Sequence, residues 1–305
     1  LLPLDCAGVD DQNKRLERAW AQWKLTDTWT ATNPGQVTAV YDKRFAFAPR
    51  DIPRLVNETI AATSEPGLFI LEAPMGSGKT EAALVGAEQL AFQTGRSGIF
   101  FGLPTQATSN GIFPRIKSWL DRLAEDGDDH LSIRLLHGKA ALNPQFAGLA
   151  RQVNLDDPEA HILVNEWFSG RKTAALDDFV VGTVDQMLMV ALKQKHLALR
   201  HLGFSKKVVI IDEVHAYDAY MSHYLYEALS WLSAYGVPVI LLSATLPAVQ
   251  RFKLVDAYLK GKEGYRAGQA PALPAPIDAY PLLTYTDGSA ICQKSDFPQE
   301  TETAV

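Results

Sequence analysis

Cysteine is nearly absent from this sequence. Its 305 residues include two, Cys6 and Cys292, near opposite ends. Neither belongs to a Cys-x-x-Cys pair, so neither a zinc site nor a disulfide framework is implied, and a reducing, cytoplasmic setting is expected. Long hydrophobic runs are lacking too. Stretches such as Val237–Leu242 fall far short of the ~20 apolar residues that span a bilayer, so no membrane role is expected. The start, Leu1-Leu2-Pro3-Leu4-Asp5, has neither basic residues nor an apolar core, so no signal peptide is read there. It also has no initiator Met, and the chain is read as a piece of a longer protein. A basic excess is missing as well, since the formal net charge is −6. That excludes a protein holding duplex DNA mainly through a broad basic face. It leaves room for one that grips a few phosphates with amides, hydroxyls and local Arg or Lys. No internal repeat is visible.

What is present is a chain 47% apolar, enough for a packed core. Apolar runs recur at Leu68–Glu72, Gly98–Leu103, Ser132–His137, Phe179–Thr183, Val208–Asp212 and Val237–Ser243, with helical stretches between them. The runs are continuous rather than alternating, as in strands buried on both faces. This rhythm predicts an α/β fold, a doubly wound parallel sheet with helices on both sides. Residues 1–35 read as an N-terminal helical flank, in which Leu16, Trp20 and Trp23 share one face and act as packing anchors. Residues 36–260 read as the nucleotide-binding domain. The proline-rich stretch 261–305 reads as a linker with one short strand, Leu282–Thr286.

The sharpest signal is Ala73-Pro-Met-Gly-Ser-Gly-Lys-Thr80, after a buried strand and before a helix expected over Glu81–Phe92. That is the context a phosphate loop requires. Glycines at 76 and 78, with Ser77 between them, let backbone amides turn inward around a phosphate, and the helix N-terminus adds partial positive charge. Lys79 is expected to reach the β- and γ-phosphates of ATP, and the Thr80 hydroxyl to hold Mg²⁺. Downstream, Val208-Val-Ile-Ile-Asp-Glu-Val-His215 is an apolar strand ending in two carboxylates and a histidine. Asp212 is expected to hold the metal and Glu213 to orient and deprotonate the attacking water. His215 reads either as a packed imidazole or, the preferred reading, as a relay of nucleotide state to neighbouring loops. Ser243-Ala-Thr245 ends the next strand and reads as a coupling motif.

Two more strand ends carry polar clusters, Pro104-Thr-Gln-Ala-Thr-Ser-Asn110 and Gly182-Thr-Val-Asp-Gln186. Hydroxyls and amides there suit phosphate and sugar contacts, and ligands of open α/β sheets gather beyond the strands' carboxyl ends. Each cluster taken singly also reads as a turn and helix cap.

Ala73 in the first loop position gives A-x-x-G-x-G-K-T, which resembles superfamily-2 helicases. The strings APMGSGKT (73–80), PTQATSN (104–110), LLHGKA (135–140), GTVDQ (182–186), KVVIIDEVHAYDAYM (207–221) and LLSATLP (241–247) together resemble the CRISPR-associated helicase–nucleases of type I systems. They cover roughly residues 45–250. The resemblance implies the first RecA-like P-loop domain of a motor that moves 3′ to 5′ along single-stranded DNA. It is driven by ATP and Mg²⁺ and recruited by the crRNA-guided Cascade complex. The ATP-site roles fall on Lys79, Thr80, Asp212, Glu213 and His215, and the DNA-facing roles on Thr105, Gln106, Asn110, Thr183 and Gln186. Two parts of the family pattern lie outside these residues: a second RecA-like domain with its arginine fingers, and an HD nuclease, for which no His-Asp dipeptide occurs. Low turnover by these residues alone is expected, since an absent arginine finger costs roughly 10³–10⁵ in rate. Phe47-Ala-Pro-Arg-Asp-Ile-Pro53 resembles the adenine-recognising segment, but Pro53 stands where glutamine is usual. Base recognition is then weak, or carried by Arg50 or the backbone. Two rival readings remain: a general superfamily-2 RNA or DNA helicase, and a nucleic-acid-binding module switched by nucleotide.

Overall fold

Alternation along buried strands decides this architecture. A computed structural model of the chain describes residues 28–127, 131–136, 162–163, 173–193, 195–264, 274–275 and 277–297. Within them, helices α1 (Val37–Phe45) and α2 (Asp51–Ala62) precede strand β1 (Pro66–Glu72) and helix α3 (Lys79–Thr94). Strand β2 (Ile99–Leu103), helix α4 (Gln106–Gly127) and strands β3 (Leu131–Leu136), β4 (Ile162–Leu163) and β5 (Phe179–Thr183) follow. Helices α5 (Val184–Leu188) and α6 (Leu197–Ser205), strand β6 (Val208–Ile211), helix α7 (Ala219–Ala234), strand β7 (Val239–Ser243) and helix α8 (Ala248–Glu263) come next. Strands β8 (Leu282–Asp287) and β9 (Ala290–Lys294) complete the described set.

The strand order is β4-β3-β5-β2-β6-β7-β1-β8-β9. Pairings from β4 through β1 are parallel, whereas β8 and β9 add antiparallel. Successive side chains on a strand point to opposite faces. Accordingly Phe69, Leu71, Phe101, Ile210 and Leu242 enter one core with Ile52, Val56 and Ile60 of α2, the alanines of α3, and Phe113 and Trp119 of α4. Leu68, Ile70, Phe100, Val209, Ile211 and Leu241 enter a second core with Leu225, Leu229 and Leu232 of α7 and Leu254 and Val255 of α8. Helix α3 is buried along most of its length. It approaches α2 closely because Gly86 lacks a side chain: a Cβ there would meet Ile60 Cδ1 at 2.7 Å.

The expected doubly wound sheet is present, and the six predicted strands form with ends shifted by a few residues. At β7, Pro238 lies outside the strand and offers only its carbonyl, to Val209 N–H (3.1 Å). The predicted strand at Leu282–Thr286 also forms. With β9 it makes a hairpin that covers the free side of β1, and Asp287 accepts from the Glu65 N–H (2.7 Å). Helix α8 runs three residues past the expected boundary at 260. The flank residues Leu16, Trp20 and Trp23, Cys6 and residues 137–140 of the LLHGKA string lie outside the described residues. Trp29 is described, and it is buried against Phe179 (ring centroids 5.0 Å apart). Among the described residues no helix is long and apolar enough to cross a membrane.

Candidate active site

Parallel packing puts the carboxyl ends of β5, β2, β6, β7 and β1 along one rim, and every predicted site residue except Arg50 sits on or just beyond it. Register ties the rim together. Glu72 lies opposite Ser243, Ala73 N–H donates to Ser243 O (3.2 Å), and Asp212 N–H donates to Gly102 O (2.9 Å).

The loop between β1 and α3 turns at Gly76 (φ 76°) and Gly78 (φ 86°). Both are left-handed conformations that suit glycine. Ser77 is buried and its hydroxyl donates to Pro74 O (2.8 Å). Lys79 Nζ donates to two carbonyls of its own loop, Ala73 O (2.7 Å) and Pro74 O (2.8 Å). Burial pulls the Lys79 ammonium below its ordinary pKa, against the opposing pull of Asp212 and Glu213. A cavity of about 570 Å³ opens here, and Lys79, Thr80, Asp212 and Glu213 all line it. Residues 133 positions apart in sequence therefore share one pocket.

Asp212 Oδ1 accepts from the Glu213 N–H (2.8 Å). Burial pushes the Asp212 carboxyl up to about 6, more than its hydrogen bond and the nearby Lys79 and His215 lower it. Glu213 adopts φ 55°, ψ 41°, a left-handed conformation unusual for a residue with a side chain. From there a polar chain leads away from the pocket. Glu213 Oε2 is 3.0 Å from His215 Nε2. His215 Nδ1 lies 3.3 Å from the Ala244 N–H and 3.2 Å from Ser243 Oγ, and Ser243 Oγ donates to Thr245 O (2.8 Å). Since Ala244 N–H can only donate, it selects the tautomer with its proton on Nε2, facing Glu213, and Ser243 Oγ, whose one proton goes to Thr245 O, is then a neighbour of Nδ1 and not its hydrogen-bond partner.

The polar clusters lie on neighbouring strands, β2 and β5. Thr105 caps α4: its hydroxyl accepts from Thr108 N–H (3.1 Å), and its own N–H donates to Thr108 Oγ1 (3.2 Å). The cap reading and the ligand reading therefore meet in one residue. Gln106 is exposed, Asn110 and Gln186 are partly exposed, and Thr183 is buried at the head of α5. Thr245 is exposed and Ser243 buried.

Sequence reasoning missed several pocket residues. Tyr41, Glu81 and Arg115 line the cavity beside Phe47, Ala48, Arg50 and Pro53 of the segment expected at the adenine and Met75 of the expected phosphate loop. Arg115, from the middle of α4, pairs with Glu81. Arg50 Nη1 donates to Gly76 O (2.6 Å), so the segment before α2 is fastened to the phosphate loop. The aromatic spacing Tyr41, Phe45 and Phe47 ahead of Arg50 was a usable signal. Arg115 had none, because its place depends on how α4 packs.

A family model described as DEAD/DEAH box helicase matches residues 56–252. The chain is 56% identical over 305 residues to the CRISPR-associated nuclease/helicase Cas3 of Streptococcus thermophilus, a match covering 99% of this chain and 33% of that protein. It is 41% identical over 241 residues to the CRISPR-associated endonuclease/helicase Cas3 of Thermus thermophilus, covering 76% and 26%. The crystal structure of T. fusca Cas3 with ADP is similar with a TM-score of 0.78 at 35% identity, covering 92% of this chain and 31% of that one. A chain in a CRISPR RNA-guided surveillance complex, in a pre-nicking state, is similar with a TM-score of 0.60 at 34% identity, covering 81% and 24%. The chain thus spans a third or less of the relatives it matches.

Proposed function

This chain belongs to the DEAD/DEAH box helicase family, with Cas3 nuclease/helicases as its relatives, and from that premise we propose that it is the ATP-binding half of a DNA motor in type I CRISPR interference. The full-length protein moves 3′ to 5′ on single-stranded DNA in the cytoplasm, is recruited by Cascade, and degrades DNA with an HD nuclease elsewhere in that protein. A second RecA-like domain closes on the pocket and supplies the arginines. The observation that carries this reading is the shared cavity of Lys79, Thr80, Asp212 and Glu213, joined to the rim by the chain through His215 to the Ala244 N–H.

In this mechanism the phosphate-loop amides and Lys79 hold the β- and γ-phosphates, with Lys79 exchanging its two loop carbonyls for phosphate oxygens. Glu213 orients the attacking water and takes its proton. His215 holds the Glu213 carboxylate and, through the Ala244 N–H, hands its position to the segment Ser243–Thr245. Thr105, Gln106, Asn110, Thr183 and Gln186 contact the backbone of the DNA strand, positioning it without reading sequence. Thr80 and Asp212 would hold Mg²⁺, which would supply charge neutralisation at the phosphates. The fit is chemical: the buried Asp212 carboxyl, raised to about 6, is the kind of group that a neighbouring cation ionises.

That raised value gives a pH dependence. The ionised form of Asp212 accepts the cation, so protonation competes with metal below the folded-state value of about 6. Affinity for MgATP should be flat above that value and fall by about tenfold per pH unit below it. Calorimetric titration of MgATP across this range checks it.

The function itself is tested by ATP turnover of the full-length protein with single-stranded DNA or RNA as stimulator. DNA stimulation is expected. Stimulation by RNA alone would favour the general RNA-helicase reading and sink this one. Unwinding of duplexes carrying 3′ or 5′ overhangs tests the direction.

A further inference from the structure

One peptide unit, that between Asp212 and Glu213, sets where the Glu213 carboxylate goes. Turning it changes ψ of Asp212 and φ of Glu213 together, and φ of Glu213 is the left-handed 55°. The unit is held at both ends. Its N–H donates to Asp212 Oδ1 (2.8 Å). Its carbonyl, Asp212 O, accepts from the Tyr217 hydroxyl (2.9 Å). Upstream, Asp212 is fastened to β2 by the bond from its own N–H to Gly102 O.

The local fold puts Tyr217 within reach. A short turn follows Glu213, in which Ala216 N–H donates to Glu213 O (2.8 Å) and Tyr217 N–H to Val214 O (3.3 Å). The chain doubles back there, and the phenol returns to a carbonyl five residues earlier. The ring is buried in the core shared by Val184, Met187, Val214 and Leu225. Packing therefore fixes the ring, and the ring fixes the hydroxyl.

A hydrogen bond of this kind is comparable in size with the cost of left-handed backbone at a residue with a Cβ. Without the hydroxyl, less holds the peptide against relaxing out of the left-handed region. A relaxed Glu213 no longer presents its carboxylate to the cavity. His215 still pairs with that carboxylate, so the loss is partial.

We propose that Tyr217 is a positioning residue for ATP hydrolysis, its hydroxyl holding the Asp212–Glu213 peptide so that Glu213 meets the attacking water. This rests on the reading of Glu213 as the general base.

The test is Tyr217→Phe in the full-length protein, which keeps the ring and removes the hydroxyl. With saturating single-stranded DNA it should lower kcat for ATP by about threefold to tenfold, the worth of one hydrogen bond, with KM and nucleotide affinity close to those of the wild type. The decisive readout is the same substitution made beside Glu213→Gln. A residue that acts through Glu213 has little left to lose there, less than about twofold in single-turnover hydrolysis. A residue that merely supports the fold would lower both backgrounds by the same factor.

Tyr217→Phe at the wild-type kcat overturns the inference. So does a loss carried by KM, or one that repeats in full beside Glu213→Gln. Thermal unfolding is measured in parallel, and a Tyr217→Phe protein unfolded at the assay temperature assigns the hydroxyl to the fold and overturns the inference as well. If Glu213→Gln alone leaves turnover at the wild-type level, the general-base reading falls and takes this inference with it. A strong effect of Glu213→Gln beside a silent Tyr217→Phe removes this inference alone.

Discussion

Glu213→Gln in the full-length protein should lower DNA-stimulated ATP turnover by roughly 10²–10⁴, the range for losing a general base, while nucleotide affinity stays close to that of the wild type. The reason lies in where the carboxylate points. Glu213 reaches the cavity that Lys79 and Thr80 line, and its far oxygen lies 3.0 Å from His215 Nε2. Glutamine is nearly isosteric and can keep a hydrogen bond to the imidazole, so the polar chain to the Ala244 N–H survives. What it cannot do is take a proton from water. Single-turnover hydrolysis and equilibrium nucleotide binding, measured on the same preparation, separate the two effects. A protein that merely switches on nucleotide binding would show no comparable loss of a functional output, and that result would favour the binding-module reading.

Arg251→Ala should destabilise the 305-residue chain by about 3–5 kcal/mol, the cost of leaving a buried charge without its partner. Glu72 closes β1 immediately before the phosphate loop, and both its oxygens are engaged. Arg251 Nε donates to Oε1 (2.5 Å) and Nη2 to Oε2 (3.0 Å), while the Leu246 N–H also donates to Oε2 (3.1 Å). Arg251 Nη2 returns to Leu246 O (3.3 Å). One buried ion pair thus fastens the segment after Ser243 to the strand that carries the phosphate loop. Urea unfolding gives the magnitude, and hydrogen exchange at Leu246 gives the place, since that amide loses its anchored acceptor. Replacing both partners by apolar residues, Glu72→Leu with Arg251→Met, should recover much of the loss because no charge is then stranded. Equal losses in the single and double variants would mean that a stranded charge is not the source of the loss.

These two residues show why the sequence was readable in one place and opaque in another. Lys79 and Thr80 stand in a contiguous string with the spacing that a phosphate loop requires, and Asp212 and Glu213 end an unbroken apolar strand. Local order reveals such residues. Parallel strands were legible for the same reason, since Val208–Ile211 has to be buried on both faces. Glu72 and Arg251 lie 179 positions apart, and nothing local marks either as a partner of the other. Arg115 is similar: its place at the pocket follows from the packing of α4 rather than from its neighbours in the string GIFPRIK. The hairpin β8–β9 was half legible. Its first strand has an apolar pattern, whereas β9 is an edge strand of mixed polarity that takes its shape from the partner beside it.

The left-handed backbone at Glu213 has an evolutionary side. That conformation costs a residue with a Cβ roughly 1–2 kcal/mol, and glycine would adopt it freely. The neighbouring Asp212 is held ionised only against its burial. Two adjacent acids therefore both weigh against the folded state, and each would be replaced at a gain if survival of heat were all that mattered. A library of this chain sorted for thermal endurance alone should drift toward Glu213→Gly and Asp212→Asn, enriching folded and catalytically silent proteins. On the roles proposed above, carboxylates at these two positions serve turnover at the expense of durability.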